Sequence, residues 1–102
     1  MNKDDLDNLN EGTALIGNKL QAIHADLRKL DVSSYADPQR LNLFYYKQNK
    51  LAERLDDLKQ AVKEDYVHAL LLYGELANIN TEAETLHAGI WDMISKYSFK
   101  YS

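Results

Sequence analysis

The stretch LNLFYYKQNKLAERLDDLKQAVKEDYVHALLLYGELANI occupies residues 41–79. Steps of three and four, taken alternately from its first residue, give Leu41, Phe44, Gln48, Leu51, Leu55, Leu58, Val62, Asp65, Ala69, Leu72, Leu76 and Ile79. That is a heptad seam in which only Gln48 and Asp65 are polar. No Pro or Gly interrupts it before Gly74, and most of its residues are good helix formers. Read as one helix it starts at Pro38, ends near residue 78 and is roughly 60 Å long at 1.5 Å per residue. A helix of that length cannot bury its own seam, so the rest of the chain is expected to lie along it.

Upstream, Leu6, Leu9, Thr13, Ile16, Leu20, Ile23, Leu27 and Leu30 repeat the same steps and predict a first helix over about 4–30. Asp4 and Asp5 suit the positive end of its dipole. Gly12 and Gly17 lie off the seam and read as tolerated defects or points of close packing. The break falls at Asp31–Pro38, where Asp37 is a good N-cap and Pro38 fits the first helical position. Pairs whose numbers sum to 71 match the two seams throughout: Leu30 with Leu41, Leu27 with Phe44, Ile23 with Gln48, Leu20 with Leu51. The expectation is an antiparallel hairpin.

Downstream, Asn80-Thr81-Glu82-Ala83-Glu84 has the spacing of a capping box. It predicts a third helix over about 82–97, with Ala83, Leu86, Ile90, Met93, Ile94 and Tyr97 apolar and Trp91 beside them. Folding back at sums of about 159 would set Ile90 by Ala69 and Tyr97 by Val62, leaving the first and third helices end to end along the second. The fold class read from the sequence is all-α: an antiparallel coiled-coil-like three-helix bundle with a long central helix, in one domain over 1–102. The alternative is a compact four-helix bundle with a break near Lys63–Tyr66.

The chain has 102 residues, a net charge of -4 and no cysteine, so disulfide and thiolate chemistry are excluded. Its acidic start lacks the apolar core of a signal peptide, and no apolar run reaches the length of a membrane span. The expectation is a cytoplasmic protein without membrane contact. Charge is uneven. Residues 40–63 carry a net +3, whereas residues 64–95 hold six acids and no Lys or Arg. Glu53, Asp56 and Asp57 interleave the basic stretch, which reads as flank charge pairing with the first helix, and no nucleic acid is expected.

Asp65 with His68 and Glu84 with His87 have acid-x-x-His spacing, but the expected register keeps the pairs apart, so no metal and no cofactor are expected. His24 reads as a surface residue. There is no Cys, no Ser sits in a recognisable strand-turn-helix context and no glycine-rich phosphate loop occurs, and the chain is read as no enzyme.

The segment Ala69-Leu70-Leu71-Leu72-Tyr73 is apolar all round a helix, so more than one of its faces needs cover. Tyr45, Tyr66 and Tyr73 form a stripe beside the seam. Tyr45, Tyr66, Leu70, Tyr73, Trp91 and Phe99 are therefore the expected partner-binding residues, the partner being another protein and the chain itself a homodimer. The function expected is a non-enzymatic protein–protein interaction module: a small helical inhibitor, adaptor, immunity or assembly factor, of the kind a phage or mobile element carries. Two alternatives stand beside it. One is a small enzyme of the chorismate-mutase type, which would need a polar cavity lined by Arg28 and Arg40. The other is an acidic surface that blocks a basic, nucleic-acid-binding partner. Small helical secretion partners of this length turn at a Trp-x-Gly, which the turn at Asp31–Pro38 lacks, and no motif residue links the chain to the bacteriocin-immunity proteins.

Overall fold

The structure is a computed structural model. It describes the backbone of residues 1–32, 37–64 and 68–101, and the side chains of residues 1–31, 37–64 and 68–96. Three helices account for nearly all of this: α1 (Lys3–Val32), α2 (Pro38–Glu64) and α3 (Ala69–Tyr101). All three pack against one another, giving a rod of 53 × 20 × 17 Å. At 1.5 Å per residue, the 33 residues of α3 span about 50 Å, so one helix runs the length of the molecule.

Local chemistry sets the two helix starts that are described upstream. Asn2 Oδ1 accepts a hydrogen bond from the Asp5 amide at 2.8 Å, placing an N-cap before α1. Asp37 Oδ1 accepts from the Gln39 amide at 3.0 Å, the cap expected before Pro38.

The long central helix is not present. Helix α2 ends at Glu64 and α3 starts at Ala69, so the helix is interrupted where the compact alternative puts its break, near Lys63–Tyr66, although the helices among the described residues number three and not four. Helix α3 then runs unbroken through Asn80-Thr81, where the sequence was expected to start a new helix. The expected boundary after residue 78 is thus moved back by over ten residues, and the third helix begins at 69 rather than 82. Asp65 and Tyr66 lie outside the described residues. The end-to-end placement of the first and third helices is likewise replaced: α1 and α3 lie side by side and parallel, with Asp5 bonded to Tyr73 and Asp26 to His87.

The physical reason is coverage. Helices α1, α2 and α3 hold 30, 27 and 33 residues, nearly equal lengths. Folded at the second turn, each seam faces two neighbours. Left straight, each half of the long helix would face one. Buried on the inner side are Leu9, Ile16, Leu20, Ile23, Leu27 and Leu30 of α1, and Leu41, Phe44, Leu51, Leu55, Leu58 and Val62 of α2. From α3 come Leu72, Ile79, Ala83, Leu86, Ile90 and Met93. The α3 set continues the three-four steps of the organising stretch without a change of phase. Periodicity alone therefore could not locate the turn.

The α1–α2 register agrees with the expected one. His24 meets the Tyr45 ring edge-on at 6.1 Å, and a Cβ at Gly17 would stand 3.9 Å from Leu55 Cδ2. The α2–α3 register is new: a Cβ at Gly89 would lie 3.6 Å from the Phe44 ring. Gly12 is a close-packing point, since a Cβ there would come within 2.5 Å of Leu76 Cδ2.

Gln48 sits on the seam at 9% exposure, and its Oε1 has no hydrogen-bond partner. A buried acceptor left unpaired costs about 1–3 kcal/mol. Gln48→Leu should therefore raise the unfolding free energy by about 1 kcal/mol or more, which denaturant titration measures directly. Gly17→Ala should add a little under about 1 kcal/mol through helix propensity, because its Cβ meets only ordinary contacts. Gly12→Ala should gain less than Gly17→Ala, because Leu76 has to move aside.

Candidate functional site

The side chains just before and just after each seam face the neighbouring helices, and here the polar chemistry concentrates. On the α2–α3 edge, Arg54 reaches two carboxylates two helical turns apart. Its Nε and Nη2 donate to Glu75 Oε1 at 3.1 and 3.0 Å, and its Nη1 donates to Glu82. The hydrogen bond to Glu82, above all, holds the guanidinium proton more tightly than usual; partial burial opposes this, and Glu75 adds to it. The basic flank of α2 was expected to pair with the first helix. Arg54 pairs instead with α3, because α3 and not α1 lies on that side of the α2 seam.

On the α1–α3 edge Lys19 Nζ donates to Asn80 Oδ1 at 2.6 Å and to Glu84 Oε1 at 3.0 Å. The residues that resembled a capping box are thus the α3 handle for α1. Polar residues clustered on one helical turn serve either purpose, and nothing local distinguishes them. Asp92 is paired with Lys96 at 3.2 Å. Glu75, Glu82, Glu84 and Asp92, the acids of α3, each have a cation of the same chain beside them.

Further along the same edge, Asp26 is 8% exposed. Its Oδ2 lies 3.0 Å from His87 Nε2, with Lys29 Nζ 3.8 Å from Oδ1. Trp91 Nε1 lies 2.8 Å from the same His87 Nε2. One ring nitrogen carries either a hydrogen or a lone pair, so it serves the carboxylate or the indole, not both. A buried carboxylate without a donor is more costly than an indole N–H at a half-exposed position, which water can satisfy. Nε2–H therefore donates to Asp26, and Trp91 is the group left to find another acceptor. The fold-back expected at sums of about 159 would set His87 against residues 69–79; it faces α1, because those residues belong to its own helix. Asp26 was missed from sequence; the available signal was its place immediately before the α1 seam, in line with Asp5, Gly12 and Lys19 at steps of seven.

The six residues expected to bind a partner are divided by the fold. Tyr45 and Tyr73 are half-buried against the core. Desolvation raises the Tyr45 pKa above its ordinary value, with Asp31 adding and Arg28 opposing. The Tyr73 hydroxyl donates to Asp5 Oδ1 at 2.9 Å. Its pKa is pulled down by the bond from Asn8, but desolvation and the Asp5 bond and charge outweigh that and leave it raised. Both rings close edges between helices. Leu70 and Trp91 are 75% and 50% exposed, and Leu71, not singled out from sequence, is 66% exposed. Tyr66 and the Phe99 side chain lie outside the described residues.

Grooves of about 420 Å³ between α2 and α3 and about 450 Å³ between α1 and α2 are lined by Phe44, Tyr46 and Arg54, and by His24, Gln48 and Lys59, respectively. Arg28 and Arg40 line neither, and Arg40 lies 5.8 Å above the Phe44 ring. Among the described residues no three His, Asp or Glu gather where they could hold a metal, and no helix is long and apolar enough to cross a membrane. No family model, curated protein or solved structure matches the chain.

Half-exposed ion pairs contribute up to about 1 kcal/mol each. Arg54→Met should lower the unfolding free energy by about 1 kcal/mol at low salt, with a smaller loss at 1 M salt, where surface charges are screened. A tyrosine pKa raised on folding stabilises the fold below the unfolded value near 10, and that contribution disappears as pH rises through the folded value. Stability should therefore fall above about pH 10, and Tyr45→Phe with Tyr73→Phe should flatten that fall in alkaline denaturation curves.

Proposed function

We propose that this chain is a non-enzymatic protein–protein interaction module, a small helical inhibitor, adaptor, immunity or assembly factor, and that the outer face of α3 is its binding surface. The carrying observation is the set of large apolar side chains left in water on that one helix: Leu70, Leu71 and Trp91. They stand beside a seam already filled by Leu72, Ile79, Leu86 and Ile90, so the fold does not need them there. Leu70 and Trp91 share one face of α3, about 30 Å apart along its axis; large exposed apolar residues mark interaction sites, and Trp is among the residues most often found at the energetic centre of an interface.

The polar groups favour the same reading. The described carboxylates of α3 are neutralised within the chain by Arg54, Lys19 and Lys96, which leaves little unpaired acid there to attract a basic partner. Arg54 is held between Glu75 and Glu82, and Arg40 lies over Phe44; both are engaged elsewhere than in a dicarboxylate site. A cytoplasmic origin in a phage or mobile element remains part of the proposal and rests on size and composition alone.

Leu70→Asp and Trp91→Ala should leave helical content and thermal midpoint within a few degrees of the parent, because both side chains are exposed. Both should abolish capture of a stoichiometric protein species, whether another protein or a second copy, in affinity purification from the cells of origin. Capture unchanged by both substitutions, or no species captured by the parent chain, would reject this surface.

A further inference from the structure

The glycine at position 74 has no explanation inside one chain. It lies within the helix α3, where glycine is destabilising by roughly 1 kcal/mol relative to alanine. A Cβ built there meets nothing within 4 Å, unlike Gly12, whose missing Cβ makes room for Leu76. Its backbone is ordinary helix, so no unusual conformation requires it. Gly74 faces outward on the turn after Leu70 and shares its helix face with Ala77, Thr81, Glu84, Ala88 and Trp91, at steps of three and four. A glycine on an outward face that also carries an exposed Trp and Leu marks a place where something approaches the helix backbone closely.

The geometry points to a second copy of this chain as the occupant, with α3 packed antiparallel on α3 about a two-fold axis between residues 82 and 83. This rests on the reading of the α3 face as a binding surface and names what covers it. An antiparallel pair of this face, in the a-to-d manner that the α1–α2 hairpin already uses, seats Trp91 of each copy on Gly74 of the other and sets Ala77 against Ala88. A two-fold interface is self-complementary. Here the largest side chain of the face meets the residue with no side chain, and the contact is made twice.

Charge permits the approach. The chain carries a net charge of -4, which would oppose self-association if the acids of this face were unpaired. Glu84 is held by Lys19 at 3.0 Å and Asp92 by Lys96 at 3.2 Å. With the axis between residues 82 and 83, Glu84 of each copy stands opposite Thr81 of the other, and the ion pair with Lys19 offsets the mutual approach of the two carboxylates. Leu15 of α1, 61% exposed, lies between Gly12, which packs on Leu76, and Lys19, which bonds Asn80. It borders the middle of the same face. A strip one helix wide and about 38 Å long, with that shoulder, buries roughly 1,000 Å² in total. That is the size of a reversible contact, and a dissociation constant in the micromolar range is expected.

The absence of cysteine from the chain allows a direct test on the full-length protein. Ala77→Cys and Ala88→Cys are made separately; both positions are exposed. Under mild oxidation an equimolar mixture should form a disulfide-linked dimer of one copy of each, at least tenfold faster than either variant alone. Cross-linking of each variant with itself would indicate a parallel pair and overturn the arrangement. Absence of cross-links, together with a monomeric mass by sedimentation up to millimolar concentration, would overturn self-pairing. The binding surface proposed above would survive that result if Leu70→Asp and Trp91→Ala still abolished capture of a different protein. Gly74→Gln supplies the second readout. It should raise the dissociation constant at least tenfold, while the thermal midpoint at high dilution stays equal or rises, since nothing in the monomer opposes a side chain there. Unchanged self-association in that variant would equally overturn the seating of Trp91 on Gly74.

Discussion

Each helix of this chain carries one apolar seam, and a seam is covered best when it faces two others. That requirement organises everything else. Two antiparallel helices leave part of each seam against water, whereas three of nearly equal length enclose a common interior. Leu9, Ile23, Leu27, Ile79 and Ile90 are fully buried there. Burying a Leu or Ile side chain contributes roughly 1.5–3 kcal/mol, which is larger than any single polar contact on the edges. The chain turns between α2 and α3 because that turn adds a third wall.

The edges then fix which helix lies beside which. Antiparallel neighbours bring together equivalent flanks of their seams, so His24 meets Tyr45 on one side of α2 and Arg54 meets Glu75 and Glu82 on the other. Parallel neighbours bring together opposite flanks, so Asp5, Lys19 and Asp26 meet Tyr73, Asn80 with Glu84, and His87. These contacts contribute little energy individually. Their value is selective: a slip of α3 by one turn would take His87 from the buried Asp26 and leave that carboxylate only the exposed Lys29 at 3.8 Å, at a cost in desolvation.

The outward faces differ in degree. Those of α1 and α2 carry Asp7, Glu11, Gln21, Arg28, Asn49, Glu53 and Asp56 with Leu15, Leu43 and Tyr46 exposed among them, while that of α3 carries Leu70, Leu71, Gly74, Ala77, Ala88 and Trp91 with Thr81 and Glu84 between them. An apolar helix face in water is a liability unless it is used, which is why function is sought there. The contested nitrogen of His87 bears on the same face, because the buried Asp26 claims it and leaves the Trp91 indole to bond elsewhere.

The amino-acid sequence by itself determined that the chain is all helix, where α1 and α2 begin, and how they pair. Those features follow from the acids Asp4 and Asp5, the cap at Asp37 and a heptad phase that any neighbouring helix must respect. It also marked Leu70 and Trp91 as surplus to the seam. A break near Lys63–Tyr66 was legible only as an alternative, and the tertiary structure decided between it and one long helix. The three-four phase runs unchanged from Leu41 to Met93, and a turn costs few seam positions, so periodicity is silent about it. The same limit hid the roles of Tyr45 and Tyr73. A tyrosine beside a seam is exposed if no helix lies on that side and half-buried if one does, and that depends on a third helix whose position is set by the packing of the whole chain.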